Sequence, residues 1–418
     1  MSQPSSSTVE IVFAPLRVPA FRNLWVATVL AGMGAWAQAV GAAWLMLELV
    51  NRADLVAYVQ AANSAPVLLL SFLAGALADT CERRSLQLRA QVWVLFGATI
   101  FVVICASGLA DPMLVLLLTF VVGVGTALRA PAWQASIRDL VSNEQVPAAV
   151  TLSSVGFNFS RIAGPAIGGL VVAIYAPMGA FIFNMLASLA LIFVLLRMPK
   201  DLPKRANPSF TKLVGDLRSG ASYVLSSRLM CIVLIRAAAV GIPSSAILAL
   251  LPVLTNQRFS GTSMEYGLLL GFFGLGAMVS AFALAHWRKN RHPESLLSGA
   301  SLALALSLFL LAQAEILPLA AAAVALGGFA WVVMLTTLNT AVQLNASNAF
   351  RGRALSAYMT CAFGGLMIGS LLWGSLAQHA GVRTAFLSAA AVLAGTLFLR
   401  LGASLPRNSD RFDASERQ

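Results

Sequence analysis

Gly75-Ala76-Leu77-Ala78-Asp79-Thr80-Cys81-Glu82-Arg83-Arg84 stands between two long apolar runs, residues 55–78 and 86–108. A glycine sits near the end of the first run, an aspartate follows four residues later, and two arginines open the second. Gly75 lets a neighbouring backbone come close. Asp79 is placed to accept from the exposed N–H groups of a nearby helix start. Arg83 and Arg84 can pair with carboxylates or last-turn carbonyls across a helix bundle. Each flanking run has the roughly 20 residues that a helix needs to cross a hydrocarbon core of about 30 Å. The stretch therefore reads as a short turn on one membrane face, latching that face shut until the bundles move. The plainer alternative is that two arginines merely flank a span.

Working outward, the composition agrees with a membrane setting. The chain has 418 residues, 59% of them hydrophobic and 11% charged, with a mean hydropathy of +0.82. A soluble domain carries about 25% charged residues, so this chain lacks the polar surface to cover a globule, and a soluble enzyme is excluded. Apolar runs bounded by charges or Gly-Pro signals predict twelve spans: 24–47, 55–78, 86–108, 112–130, 148–174, 178–197, 229–255, 264–287, 295–316, 317–341, 353–379 and 382–402. The expected fold is all-α, with twelve transmembrane helices in two pseudosymmetric six-helix bundles. The bundles occupy 24–197 and 229–402, flanked by tails at 1–23 and 403–418. The linker, 198–228, carries Phe210, Leu213, Val214, Leu217, Ala221 and Val224 at helical spacing, which predicts an amphipathic helix on the membrane surface.

A net charge of +12 suits either nucleic acid or the excess of Lys and Arg in cytoplasmic loops. Placement decides. With both termini inside, 23 of the 28 Lys and Arg fall in cytoplasmic segments or at the cytoplasmic ends of the spans, two of them where span 4 connects to span 5. Arg52, Arg258 and Arg383 lie on the other side, and Arg161 and Arg236 lie inside spans. No nucleic-acid partner is needed. Residues 1–20 are polar and mixed, unlike a cleavable signal. Cys81, Cys105, Cys231 and Cys361 are far apart, without metal or disulfide spacing, and no GxxxxGK[ST] phosphate loop is present. No cofactor and no metal are expected.

In span 5, Gly156, Gly164 and Gly168 share one helix face and allow tight packing. Pro165 is expected to kink the helix, and Gly169 completes the motif. Gly164 and Gly168 recur as Gly365 and Gly369 in span 11, both 201 residues on, the spacing of an internal repeat.

These motifs resemble the major facilitator superfamily. Its signature after helix 2 is matched by Gly75, Asp79, Arg83 and Arg84, with Glu82 where the usual glycine stands. The Gly156…Gly164-Pro165…Gly168-Gly169 pattern is similar to the helix-5 motif of the superfamily's antiporters, which implies export. Phe21-Arg22-Asn23-Leu24-Trp25, Pro131-Ala132, Leu251-Pro252-Val253-Leu254, Tyr266-Gly267-Leu268-Leu269 and Arg351-Gly352-Arg353 resemble the drug and siderophore exporter branch, including enterobactin and macrolide carriers. The resemblance runs from about residue 15 to 402.

Arg161 sits roughly 20 Å along its helix at 1.5 Å per residue, near the membrane centre, where an unpaired charge is costly. Asn158 lies one turn away. The residue serves either as an anion contact in a central cavity or as a clamp on backbone carbonyls. Arg236 is a second cavity candidate. Mid-span Trp36, Gln38, Asn63, Asn339 and Tyr358 complete the candidate lining, which suits a bulky amphipathic or anionic solute. No Asp or Glu falls mid-span. Glu48 and Glu265, at predicted outer ends, are the nearest proton-coupling candidates. Each reads more simply as an ordinary solvated helix terminus, so proton antiport is implied by the resemblance alone. The chain is expected to be a monomeric inner-membrane exporter, not an enzyme, whose partners are a small solute, protons and lipids. The alternative is an importer of an organic anion or nutrient.

Overall fold

A computed structural model of the chain describes residues 13–50, 52–198, 222–259, 261–347 and 350–401, and at 79–80, 281–282, 285–286, 288–290 and 400–401 the backbone alone. Among the described residues every regular element is helical: α1 (Pro19–Leu49), α2 (Ala53–Thr80), α3 (Arg83–Ala106), α4 (Pro112–Leu140), a stretch Val146–Arg197, α7 (Arg228–Arg258), α8 (Ser263–Asn290), α9 (Pro293–Gln313), α10 (Leu317–Asn345), α11 (Arg351–Ala380) and α12 (Val382–Gly395). The reason is physical. In lipid each backbone N–H must find its acceptor within the segment. Proline stands in the first two positions of α1, α4, α9 and α10, where its missing donor costs nothing. Asp111 caps α4 and Ser227 caps α7, and Gly381, at φ +86°, makes the turn between α11 and α12.

Most helices run several residues beyond the predicted spans, because polar interfacial residues keep the helix going after the apolar run stops. α4 ends at Leu140, ten residues past its predicted limit. Only 222–225 of the expected surface helix at 210–225 lies inside the described residues, and there the chain is helical.

The 52 residues of Val146–Arg197 would make a straight rod of about 78 Å, more than twice the hydrocarbon thickness. Tyr175 (φ −122°, ψ 19°) and Ala176 (φ 56°, ψ −180°) break it into two helices, α5 (146–174) and α6 (177–197). A Cβ at Gly32 would meet Ser160, and one at Gly34 would meet Asn184. Residues 160 and 184 thus reach the same height on α1, so the chain reverses between them. The break in backbone dihedrals lies at the α5–α6 corner, while they stay helical through Pro165. The carbonyl of Arg161, deprived of its donor by Pro165, is approached instead by Gly274 of α8. With α5 and α6 taken as one, eleven helices are long and apolar enough to cross a membrane among the described residues.

α1 packs on α5 and α6, α2 on α4, and α3 on α4 and α6. α7 packs on α11 and α12, α8 on α10, and α9 on α10 and α12. Gly164 and Gly168 lie against Trp36 and Ala37 of α1, while Gly365 and Gly369 lie against Gly241 and Ile242 of α7. The repeated glycines therefore do the same work in each half, seating the fifth helix on the first and the eleventh on the seventh. Two main contacts join the halves, with lesser ones from α2 to α7 and from α1 to α7 and α8. α2 runs beside α11, from Ala53 N donating to Gln378 Oε1 (2.7 Å) to the Ser71 and Thr360 hydroxyls 2.7 Å apart. α5 crosses α8.

Candidate functional site

The α2–α3 turn binds helices within the first half. Arg83 Nη1 donates to Ala135 O and to Asp139 Oδ2, both at 2.6 Å. Arg84 is buried and donates from Nε to Leu195 O (2.7 Å) and from Nη2 to Leu196 O (3.1 Å). The start of α3 is thereby tied to the last turns of α4 and α6. Gly75 faces the other half, where a Cβ would stand 3.5 Å from Ser356 Oγ on α11. Asp79 lies in the last turn of α2, and its side chain is outside the described residues.

The α5 glycines divide between two neighbours. A Cβ at Gly156 would stand 2.6 Å from Val29 Cγ2, at Gly164 2.7 Å from Trp36 Cβ, and at Gly168 2.6 Å from Ala37 Cα. All three face α1. Gly169 faces α8, where its Cβ would stand 2.7 Å from Gly267 Cα, and a Cβ on Gly267 would stand 2.7 Å from Pro165 O. The two backbones touch without intervening side chains. Ser263 Oγ donates to Gly169 O at 3.4 Å, and Trp44 of α1 stacks on Tyr266 of α8 at 6.3 Å.

Arg161 is buried, 9% exposed. Its neighbours Ser160 and Gly164 touch α1, and Ile162 and Pro165 touch α8, so it occupies the strip between them. The guanidinium stands over the Phe273 ring of α8 at 5.1 Å, and Nε is buried without an acceptor. Asn158 does not support it: Nδ2 donates to Ser154 O instead, at 2.9 Å. Trp36 is half-buried on the α1 side, next to Gly164, and Asn63 is half-buried on α2. Asn339 accepts from Gln343 Nε2 along α10.

Three lining candidates are engaged elsewhere. Gln38 is buried with Oε1 accepting from Asn184 Nδ2, which bonds α1 to α6. Tyr358 is fully buried and donates to Leu335 O at 2.8 Å, bonding α11 to α10. Arg236 is held by Glu294 of α9, and the pair borders a small cavity of about 10 Å³ with Ser298, Ser301 and Thr396. That cavity lies inside the second half. No acid was expected mid-span, and Glu294 stands just outside the predicted ninth span; α9 takes it in as its second residue, where it is 4% exposed. Pro293 was the available signal, because proline at the first helical position starts the helix two residues before the predicted span.

Arg129 was also missed. The charge count placed it with Arg138 in the connection after span 4, yet α4 continues through both. Arg129 is half-buried, with Nε buried and without an acceptor. Glu265 closes a capping box with Thr262 at the start of α8, which occupies its carboxylate. Glu48 is exposed at the end of α1. Among the described residues no three His, Cys, Asp or Glu gather at a metal-binding distance.

A family profile described as transmembrane secretion effector matches residues 10–417. The staphyloferrin A transporter of Staphylococcus aureus is 28% identical over 265 residues, covering 60% of this chain and 63% of its own length. The multidrug efflux pump Tap of Mycobacterium tuberculosis is 25% identical over 410 residues, covering 93% and 94%. Among solved structures, the nucleoside transporter NupG shares the fold with a TM-score of 0.72 at 14% identity, covering 92% of this chain and 98% of its own.

Proposed function

The chain belongs to the transmembrane secretion effectors of the major facilitator superfamily, in the drug and siderophore exporter branch, and on that premise we propose that it carries a small organic solute out of the cell by alternating access. In this reading twelve helices span the cytoplasmic membrane as two six-helix bundles, 24–197 and 229–402, with the 198–228 linker and both tails in the cytoplasm. Protons entering drive the solute outward through a monomer. Gly75, Asp79, Arg83 and Arg84 form the switch at the cytoplasmic face. Trp36, Asn63, Asn158, Arg161 and Asn339 approach the solute path. With Glu265 occupied in a cap, Glu48 is the remaining proton-coupling candidate of the two.

The observation that carries the reading is the placement of the α5 motif. Gly156, Gly164 and Gly168 seat α5 on α1, and Gly169 with Pro165 seats it on α8. One helix thus belongs rigidly to the first half and touches the second at a backbone crossing that can separate as a unit. Packed interfaces of this kind switch between discrete arrangements without deforming continuously. Arg83 and Arg84 add rigidity within the first half, so motion is concentrated between the halves.

Everted membrane vesicles test the direction. An imposed pH gradient, acid inside, is expected to drive accumulation of at least one member of a panel of cationic, neutral and anionic fluorescent amphiphiles. Gradient-independent behaviour across the panel, or uptake of the same compounds by whole cells that Arg161→Ala abolishes, overturns export. The second result would make the chain an importer of organic anions.

A further inference from the structure

Three arginine side chains are buried among the described residues: Arg84, Arg161 and Arg236. Arg84 has two backbone carbonyls and Arg236 has a carboxylate. Arg161 has neither, and its Nε is enclosed without an acceptor. A guanidinium carries five N–H donors, and a buried charge without a counterion is among the costliest features a folded chain can hold. The Phe273 face attracts the cation but accepts none of those hydrogen bonds in the guanidinium plane. Ring and guanidinium belong to different halves, α8 and α5. On the same strip of α5, toward its N-terminus, Ser154 and Phe157 are exposed, Phe157 by 61%, so among the described residues no other helix covers the strip leading to the arginine.

Resting on the export reading above, we propose that Arg161 is the binding point for the anionic group of the transported solute, whose apolar body lies against Phe273 and Trp36. The planar fork of a guanidinium matches a carboxylate or similar oxyanion through two parallel hydrogen bonds. The substrate class is therefore an amphipathic organic anion with an aromatic or aliphatic body. Because the solute bridges an α5 cation and an α8 ring, it bonds both halves at once. Its arrival is thereby felt by the α5–α8 crossing, one turn away at Pro165 and two at Gly169.

The test uses purified full-length protein in detergent with 1-naphthoate and its neutral isostere 1-naphthamide, read by thermal shift and by tryptophan fluorescence. The acid is expected to stabilise the wild type and the amide is not. Arg161→Met is expected to raise the melting temperature of the ligand-free protein, because an unpaired buried charge is gone, and to lower the preference for the acid by about tenfold or more. Arg161→Lys, which keeps the charge without the fork, should keep part of that preference and serves if the methionine variant does not fold. A clamp role predicts the reverse for Arg161→Met: a lower ligand-free melting temperature with the acid preference intact, and that result overturns the proposal. So does a wild type that does not distinguish acid from amide, including one that binds neither. Binding does not report direction, so acid-selective binding without outward transport sinks the export reading alone. Outward transport without acid preference sinks this site alone.

Discussion

Arg236 Nη1 donates to both carboxylate oxygens of Glu294, at 2.8 and 2.9 Å, with the two side chains 5% and 6% exposed. The pair fastens α7 to the first turn of α9, where the helix dipole also favours an anion. Removing one partner leaves the other charged and dry, at a cost of about 3–5 kcal/mol, whereas replacing both with apolar groups is often nearly neutral. Glu294→Gln and Arg236→Met are each expected to lower the melting temperature in detergent sharply. Arg236→Met combined with Glu294→Leu should recover most of the loss. Additive losses in the double variant would show that the two groups act separately.

Arg83 and Asp139 make a weaker, partly hydrated bond across α3 and α4, with side chains 11% and 22% exposed. Arg83 also holds the Ala135 carbonyl, so Arg83→Ala loses two acceptors' worth of bonding and Asp139→Ala loses one. A hydrogen bond to a charged group contributes about 1.5–3 kcal/mol, less here because water reaches the pair. Arg83→Ala should destabilise more than Asp139→Ala, and the double variant should match Arg83→Ala alone. Transport rates should fall in the same order. Equal, independent effects would mean that the contact does not couple the helices.

The helical plan was legible because the bilayer enforces it: long apolar runs have one way to satisfy their backbone. The α5 glycines were legible for a related reason, since small residues at steps of four and eight must face something close. What they face was not legible. Nothing in the sequence says that Gly169 meets Gly267 while Gly168 meets Ala37, one residue away. Polar residues were read least well. Gln38, Tyr358 and Arg236 looked like cavity groups because their polarity stood out in apolar runs, but each finds a partner on another helix, Asn184, Leu335 and Glu294. Arg129 was lost to a boundary, because hydropathy ends α4 near residue 130 while the helix itself continues ten residues further. Arg161 remained visible as an outlier and is the one buried arginine with neither a hydrogen-bond acceptor nor a counterion among the described residues.

The α5–α8 crossing is tight enough to test with single methyl groups. A Cβ on Gly267 would stand 2.6 Å from Gly169 Cα, and backbone cannot yield as a side-chain tip can. On the same helix, a Cβ on Gly271 would stand 3.6 Å from the nearest atom, the Ala166 methyl. Gly267→Val should therefore force the helices apart, costing about 1–3 kcal/mol by overpacking and slowing transport, while Gly271→Ala should be tolerated on both measures. A Gly267→Val protein with wild-type melting temperature and transport would mean that the crossing is looser than its geometry.

The hydroxyls of Ser71 and Thr360 lie 2.7 Å apart across α2 and α11, on the contact that joins the halves along their other side. Alternating access requires contacts between the halves to open in turn, and a covalent link at this point would hold one of them closed. In a background with Cys81, Cys105, Cys231 and Cys361 replaced by serine or alanine, Ser71→Cys with Thr360→Cys is expected to crosslink on mild oxidation. Gradient-driven accumulation in everted vesicles should fall with the fraction crosslinked and return when a reductant is added. Each single cysteine variant should transport normally in oxidant, which controls for the loss of the hydroxyl pair, worth only about 0.5–1.5 kcal/mol. Full transport with the crosslink formed would show that α2 and α11 stay joined throughout the cycle. The moving contact would then have to be the α5–α8 crossing, and a rocking motion about α2 and α11 as a fixed hinge would replace separation on both sides.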